Sequence, residues 1–299
     1  KANSKVRTKY FEQLGCVIGD EALLFKAKSL TSIMSKLHLC KYRFGLTGTL
    51  DDLQTHRLVL EGLFGTVNKV ISTKELIEKK TLANLKIDSL ILGYKEDECK
   101  DVKNLKYADE MDYIVTHKKR LSFITNLLGN VKGNVLVLYQ FVEKHGKPLY
   151  DTIKQKYKDK NVFFVSGSVD ALDREKIREI SEKTNNAVIV ASYGTFSTGI
   201  NIKNLHNIIF SSPSKSKIRV LQSIGRGLRL NDNKEMCKLF DIADDLTYKG
   251  KQNFTLRHFM ERINIYNEEQ FDYTIHRINI WQYHKKIMKS SKRCTTIKD

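Results

Sequence analysis

Five short apolar runs, each closed by a polar or glycine-bearing turn, constrain this chain most. They are NVLVLYQF (134–141), NVFFVSG (161–167), NAVIVASYG (186–194), LHNIIFSS (205–212) and CKLFDIADD (237–245). Apolar stretches of four or five residues without polar alternation read as strands buried on both faces, which is the signature of a parallel sheet covered by helices on each side. Amphipathic segments lie between them and predict helices through Tyr157, over about 170–183, and through Arg229. The β-α order predicts an α/β fold whose active residues sit at the carboxyl ends of the strands.

The preceding part of the chain follows the same grammar less regularly. LGCVI (14–18) reads as a strand, KAKSLTSIMSKLHLC (26–40) as a helix, and YRFGLTGTL (42–50) as a second strand that breaks at Gly45 and Gly48. A helix-like HRLVLEGLF, a strand LKIDSLILGY and the polar KEDECKDVKN then lead from one lobe into the next. After Asp245, aromatic and aliphatic residues recur every three or four positions, predicting a helical tail. Its end carries Lys285, Lys286, Lys289, Lys292 and Arg293, a set that either contacts phosphates or forms a solvated face. The expected divisions are therefore 1–105, 106–247 and 248–299.

Charge narrows the partners. The 299 residues include 52 Lys and Arg against 34 Asp and Glu, a net charge of +18, which attracts polyanions and disfavours acidic partners. Nucleic acid comes first, although basic ribosomal and membrane-surface proteins share such an excess. Cys16, Cys40, Cys99, Cys237 and Cys294 are widely spaced and odd in number, which favours reduced thiols over disulfides or a zinc site. No apolar run approaches the length of a membrane span, so a cytoplasmic protein is expected.

The sharpest local pattern is QSIGRGLR (222–229). On one helix, Gln222, Arg226 and Arg229 would share a face at i, i+4 and i+7, with Gly225 and Gly227 keeping the nearby surface low. Two guanidiniums without close acids suit a phosphate, while an amphipathic helix with two surface arginines would give the same pair. ASYGTFSTGI (191–200) places Ser192, Thr195, Ser197, Thr198 and Gly199 after a strand, offering hydroxyls and amides to phosphates or serving as a plain polar connection. VIGDEALLF (17–25) runs an apolar strand into Asp20 and Glu21.

Taken in order, GDEA, GLTGT, VLVLYQF, ASYGTFSTGI and QSIGRGLR resemble motifs II to VI of the superfamily 2 helicases. FSTGI, KNLH and SKI followed by VLQ are similar in order and spacing to the UvsW-type helicases of T-even phages, from about residue 14 to the tail. The resemblance implies RecA-like lobes, a partial first and a complete second, with a helical basic tail. It implies an ATP-dependent motor acting on forked or branched duplex and single-stranded DNA in recombination and repair, as a monomer, with ATP and Mg2+ as cofactors.

Carried over by motif, Asp20 would hold magnesium and Glu21 would orient or deprotonate the attacking water. Arg226 and Arg229 would act as arginine fingers across a closing interface, with Gln222 and Gly199 beside the nucleotide. Thr47 and Thr49 would couple nucleotide state to the track. Gln140, Phe141, Ser166, Gly167, Thr195 and Thr198 would contact the sugar-phosphate backbone.

Two departures stand out. No G-x-x-x-x-G-K-[ST] phosphate loop occurs, and the chain begins at Lys1, so a preceding helicase region is expected and the chain alone should hydrolyse ATP poorly. Leu23 stands where the family usually has His, an imidazole able to hydrogen-bond where an isobutyl group cannot. Two other readings remain at this level: a non-hydrolysing nucleic-acid-binding or annealing module, and the translocating subunit of a restriction or remodelling complex.

Overall fold

The computed structural model describes residues 9–50, 54–195, 202–214, 216–231 and 234–282. It divides into two compact units, Lys1–Ile71 and Ser72–Asp299.

In the smaller unit, β1 (Cys16–Gly19) and β2 (Tyr42–Gly45) pair in parallel, with Gly19 opposite Gly45. A 3-10 turn, Ala22–Lys26, and α1 (Lys28–Lys36) connect them, and α2 (Gln54–Phe64) follows. Met34, Leu37 and Cys40 form a small core against Phe11, Leu14, Val17, Phe25, Leu63 and Phe64. Phe25 and Phe64 meet edge to face at 5.1 Å between centroids. A Cβ at Gly19 or at Gly45 would lie 2.9 Å from the Phe64 ring. These two glycines let the strand ends approach an aromatic lid.

The larger unit holds a seven-stranded sheet. In chain order its elements are α3 (Thr73–Glu78), β3 (Asn84–Gly93), α4 (Glu96–Val102), α5 (Tyr107–Thr116), α6 (Lys118–Leu127), β4 (Val135–Tyr139), a π-helical turn Val142–Gly146, and α7 (Lys147–Lys156). Then come β5 (Asn161–Val165), α8 (Ala171–Lys183), β6 (Ala187–Ser192), β7 (Asn207–Phe210), α9 (Lys217–Gly227), β8 (Met236–Asp245), α10 (Phe254–Glu268) and β9 (Tyr273–Asn279). The spatial order is β5-β6-β4-β7-β8-β3-β9, and every pairing is parallel. All seven carboxyl ends therefore share one edge.

Helices cover both faces, as the unbroken apolar runs require. On one face Val220, Ile224 and Leu228 from α9 and its end, with Phe259, Ile263 and Tyr266 from α10, pack on Ile208 and Leu239. On the other, Phe123, Ile124, Leu149 and Ile153 from α6 and α7 pack on Val135, Val137 and Ile209. This is the expected α/β architecture of a RecA-like lobe.

Two sequence boundaries move. β3, expected in the first lobe by a division at 105, lies between β8 and β9 in the larger sheet, with Ile87 opposite Leu239 and Tyr273. Its apolar run announces a buried strand, but a run alone does not name the sheet it joins. The tail is not wholly helical: α10 stops where Gln270 adopts φ +55, and the Phe271 amide closes back on the Tyr266 carbonyl at 2.8 Å. The chain then extends into edge strand β9. The basic tail residues Lys285 to Arg293 lie outside the described residues.

Among the described cysteines, Cys16, Cys40, Cys99 and Cys237 are unpaired. No described helix is long and apolar enough to cross a membrane.

A candidate nucleotide and nucleic-acid site

The shared strand edge of the larger unit gathers the candidate backbone-binding residues. Gln140 and Phe141 follow β4, Ser166 and Gly167 follow β5, and Thr195 follows β6. Registers of Tyr139 with Ser192 and Val165 with Ala191 make these three loops neighbours. Ser166 pairs its hydroxyl with Ser168 at 2.7 Å, and Ser192 with Thr195 at 2.7 Å. Gly167 has open space where a Cβ would be. Thr198, Ser197 and Gly199 lie outside the described residues.

A fourth loop, Ser211–Ser214 after β7, ties this edge together. The Ser212 hydroxyl accepts from the Gln140 amide at 3.0 Å and meets His145 Nδ1 at 2.8 Å, while its carbonyl accepts from the Tyr193 hydroxyl at 3.1 Å. Burial, with a contribution from Arg120, pushes His145 down to about 3, so its imidazole is neutral and its Nδ1 can accept the serine proton.

Two buried guanidiniums hold the same loop from opposite faces of the sheet. Arg120 from α6 donates to the Ser211 carbonyl and, at 2.7 Å, to Asp244. Arg262 from α10 donates to the Ser214 carbonyl at 2.8 Å and grips Asp241 through Nε and Nη2. Asp241 and Asp244 lie three apart on β8, and odd spacing on a strand sends them to opposite faces. Tyr266 donates to Asp241 at 2.8 Å, and Tyr94 donates at 2.7 Å to Asp244 Oδ1, the oxygen that Arg120 also binds. Burial opposes charge on both arginines, but the aspartates outweigh it and raise both guanidinium pKa values. The sequence pattern of FDIADD predicts only a strand. Two acids inside an apolar run are the signal that could have exposed this clamp, because a buried carboxylate demands a partner.

Ser216, just beyond this loop, caps α9, accepting from the Arg219 amide. Gln222 and Arg226 stand on α9, one turn apart and half-buried. Arg229 is not on the helix, which ends at Gly227 with Leu228 as its cap. The expected i+7 position therefore falls in the following segment. Gly225 leaves open surface as expected, but Gly227 does not: a Cβ there would sit 2.5 Å from Ile208 and 2.8 Å from Cys237 Sγ. Gly227 lets α9 lie close on the sheet, and the buried Lys234 ammonium caps its carbonyl at 2.7 Å.

In the smaller unit, Asp20 and Glu21 leave the end of β1, both exposed. Glu21 adopts φ +48, and its amide bonds Asp20 Oδ1 at 2.8 Å. Ala22 donates to the Leu46 carbonyl and Leu46 to the Gly19 carbonyl, both at 2.8 Å, so the acidic turn is stitched to Leu46, the residue before Thr47. Thr47 donates its hydroxyl to the Thr49 carbonyl at 2.8 Å. Leu23 is buried at 6% exposure, an apolar side chain in an apolar place. Among the described residues no group of three or more His, Cys, Asp or Glu side chains could hold a metal ion.

Residues 119–231 match the family described as the helicase conserved C-terminal domain. The chain is 36% identical over 284 residues to the ATP-dependent DNA helicase UvsW of enterobacteria phage T4, covering 91% of this chain and 56% of that protein. The crystal structure of T4 UvsW superposes with a TM-score of 0.58 at 35% identity, over 91% of this chain and 56% of that one. The chain belongs to the superfamily 2 helicases and is UvsW-like.

The helicase chain thus spans just over half the length of its T4 relative. It also resembles the ATP-dependent type ISP restriction-modification enzyme LlaBIII bound to DNA, with a TM-score of 0.63 over 94% of this chain and 23% of that one. At 14% identity that likeness concerns the fold alone. The helicase C-terminal match opens at α6, which carries Arg120, and closes at Asn231, just past Arg229. Clamp partners Asp241, Asp244 and Arg262 lie beyond it.

Proposed function

We propose that this chain is the DNA-gripping and phosphate-sensing portion of an ATP-dependent DNA helicase or translocase. Its substrates are branched or forked duplex and single-stranded DNA, in recombination, repair or fork rescue. The smaller unit is the carboxyl-terminal part of a first RecA-like lobe, and the larger unit is the second lobe. The observation that carries this is the gathering of Gln140, Phe141, Ser166, Gly167 and Thr195 on one edge of a parallel sheet whose next loop leads into the helix of Gln222 and Arg226. Amides and hydroxyls at such an edge suit a sugar-phosphate backbone, giving sequence-independent, salt-sensitive binding.

In ATP hydrolysis, Glu21 orients the attacking water and takes its proton, and Arg226 and Arg229 offset charge on the transferred phosphoryl group. Asp20 would hold magnesium through the ion's water shell. A single exposed carboxylate fits that ion, which keeps several waters and draws other ligands from nucleotide phosphates rather than from a protein cage. Bound there, magnesium neutralises phosphate charge. Thr47 and Thr49, which follow the Leu46 stitch to the acidic turn, pass its state toward the nucleic-acid track.

The 299-residue chain contains no phosphate-binding loop motif, so by itself it hydrolyses ATP poorly. The test is DNA-stimulated ATPase in a polypeptide that joins this chain to such a loop. Arg226→Ala and Glu21→Gln should each abolish turnover and leave DNA affinity within about twofold. Turnover unchanged in both variants would refute the assigned roles, and strong ATPase from the 299-residue chain alone would refute the division of labour.

A further inference from the structure

Beyond the strand-end loops of β4 to β7, the same edge of the sheet carries a surface that no motif accounts for. Where β8 ends and α10 begins, a cavity of about 330 Å³ is lined by Lys103, Glu110, Lys251, Asn253, Phe254 and Arg257, among others. That volume is at the lower end of the roughly 300–1,000 Å³ of small-ligand pockets. Among the described residues Glu110 is its only carboxylate, and it is turned inward. Oε1 accepts from the Thr255 amide and hydroxyl and from Asn253, and Oε2 accepts from the Phe254 amide, which occupies the acid with the start of α10. The remaining charged lining, Lys103, Lys251 and Arg257, is cationic.

Aromatic rings border these cations. Phe254 is 37% exposed and Tyr107 38% exposed, and their rings meet edge to face at 6.2 Å. The Arg257 guanidinium lies over the Phe254 ring at 4.7 Å, and the Lys103 ammonium over Tyr248 at 5.1 Å. Burial and Glu110 raise the Tyr107 phenol pKa while Arg219 acts against them, which puts a further guanidinium, from the first turn of α9, near the same ring. Exposed rings interleaved with guanidiniums and ammoniums suit a ligand that alternates flat bases with phosphates.

We propose that Phe254 and Tyr107 form a base-stacking platform for single-stranded nucleic acid, with Arg257, Lys103 and Lys251 taking the adjoining phosphates. The platform extends the strand-end track across β8, and it rests on the reading of that edge as nucleic-acid-binding. Single strand fits better than duplex because only unpaired bases present free faces to a ring.

The test is fluorescence anisotropy of the 299-residue chain with labelled oligothymidine and with an abasic oligonucleotide of equal length, each over a salt series. Phe254→Leu should weaken oligothymidine binding about fivefold or more and leave abasic binding unchanged, while Phe254→Tyr, which keeps the ring, restores affinity. Arg257→Ala should weaken both ligands and lower the salt slope by about 0.7, one single-strand phosphate. Wild-type binding with neither variant affected overturns the platform and leaves the nucleic-acid reading standing, whereas absence of wild-type binding overturns that reading itself. Equal loss on both ligands for Phe254→Leu overturns stacking. Displacement of the oligonucleotide by polyglutamate with the same dependence on both variants would make the surface a protein-docking site and also overturn the proposal.

Discussion

The acidic turn of the smaller unit and the Ser211–Ser214 loop of the larger one are both strand ends bearing candidate functional groups, yet they are built in opposite ways. Asp20 and Glu21 are exposed, and the backbone stitches to Leu46 and Gly19 hold their turn without burying either carboxylate. Around Ser212, by contrast, two arginines, two aspartates, two tyrosines and a neutral histidine are buried and bonded either to one another or to the loop itself. Groups proposed to meet a metal, a water and a phosphate stay exposed. Groups that keep several loops in register are locked beforehand, because a buried charge is costly unless an opposite charge and hydrogen bonds hold it. Substitutions at the first place should cost chemistry and hardly any stability, and at the second they should cost the fold.

The largest contrast concerns activity against stability. Glu21→Gln should lower ATP turnover by about 100-fold or more in a loop-containing protein, as loss of a general base does, while thermal unfolding stays within about 0.5 kcal/mol of wild type. Arg262→Ala should do the reverse to the fold, leaving Asp241 buried without its partner and costing about 3–5 kcal/mol by urea unfolding. Comparable stability losses from both substitutions would erase the distinction.

Glycine packing gives a smaller effect. Gly45→Ala should destabilise the smaller unit by about 1–3 kcal/mol through the Phe64 clash, whereas Gly48→Ala, with nothing within 4 Å, should have little steric effect. Thermal melts of the two variants separate packing from loop chemistry.

Acid provides the finest discrimination. His145 has a folded pKa depressed below its ordinary value, so the unfolded chain binds a proton that the folded chain refuses. Its contribution to stability is complete above about pH 6.5 and is lost progressively as pH falls toward 3, at up to about 1.4 kcal/mol per pH unit. Unfolding free energies between pH 7 and 5 should show this slope, and His145→Gln should flatten it. An unchanged slope in His145→Gln would assign the acid sensitivity to other groups.

These contrasts also show what a sequence can disclose. Strands β4 to β8 were legible because a strand covered on both faces announces itself by an unbroken apolar run, and α9 was legible by its periodicity. The candidate residues Gln140, Ser166 and Thr195 came from the motif resemblance, and the parallel topology places them on one edge. The place of β3 between β8 and β9 was not legible, since nothing local in LKIDSLILGY names a neighbour some 150 or 190 residues later. The clamp was missed for the same reason: Arg120 and Asp244 are 124 positions apart. Gly227 misled in another way, because glycine marks open surface and close packing alike, and only the Ile208 and Cys237 side chains beneath it decide between them.

The most direct test of the central claim is ATP-driven unwinding of a forked duplex by a protein that carries this chain together with a phosphate-binding loop. Unwinding by the wild type, and its loss in Glu21→Gln and Arg226→Ala despite wild-type fork binding, is the predicted result. Fork binding without any ATP-dependent unwinding by the wild type, or unwinding that survives both substitutions, would contradict it.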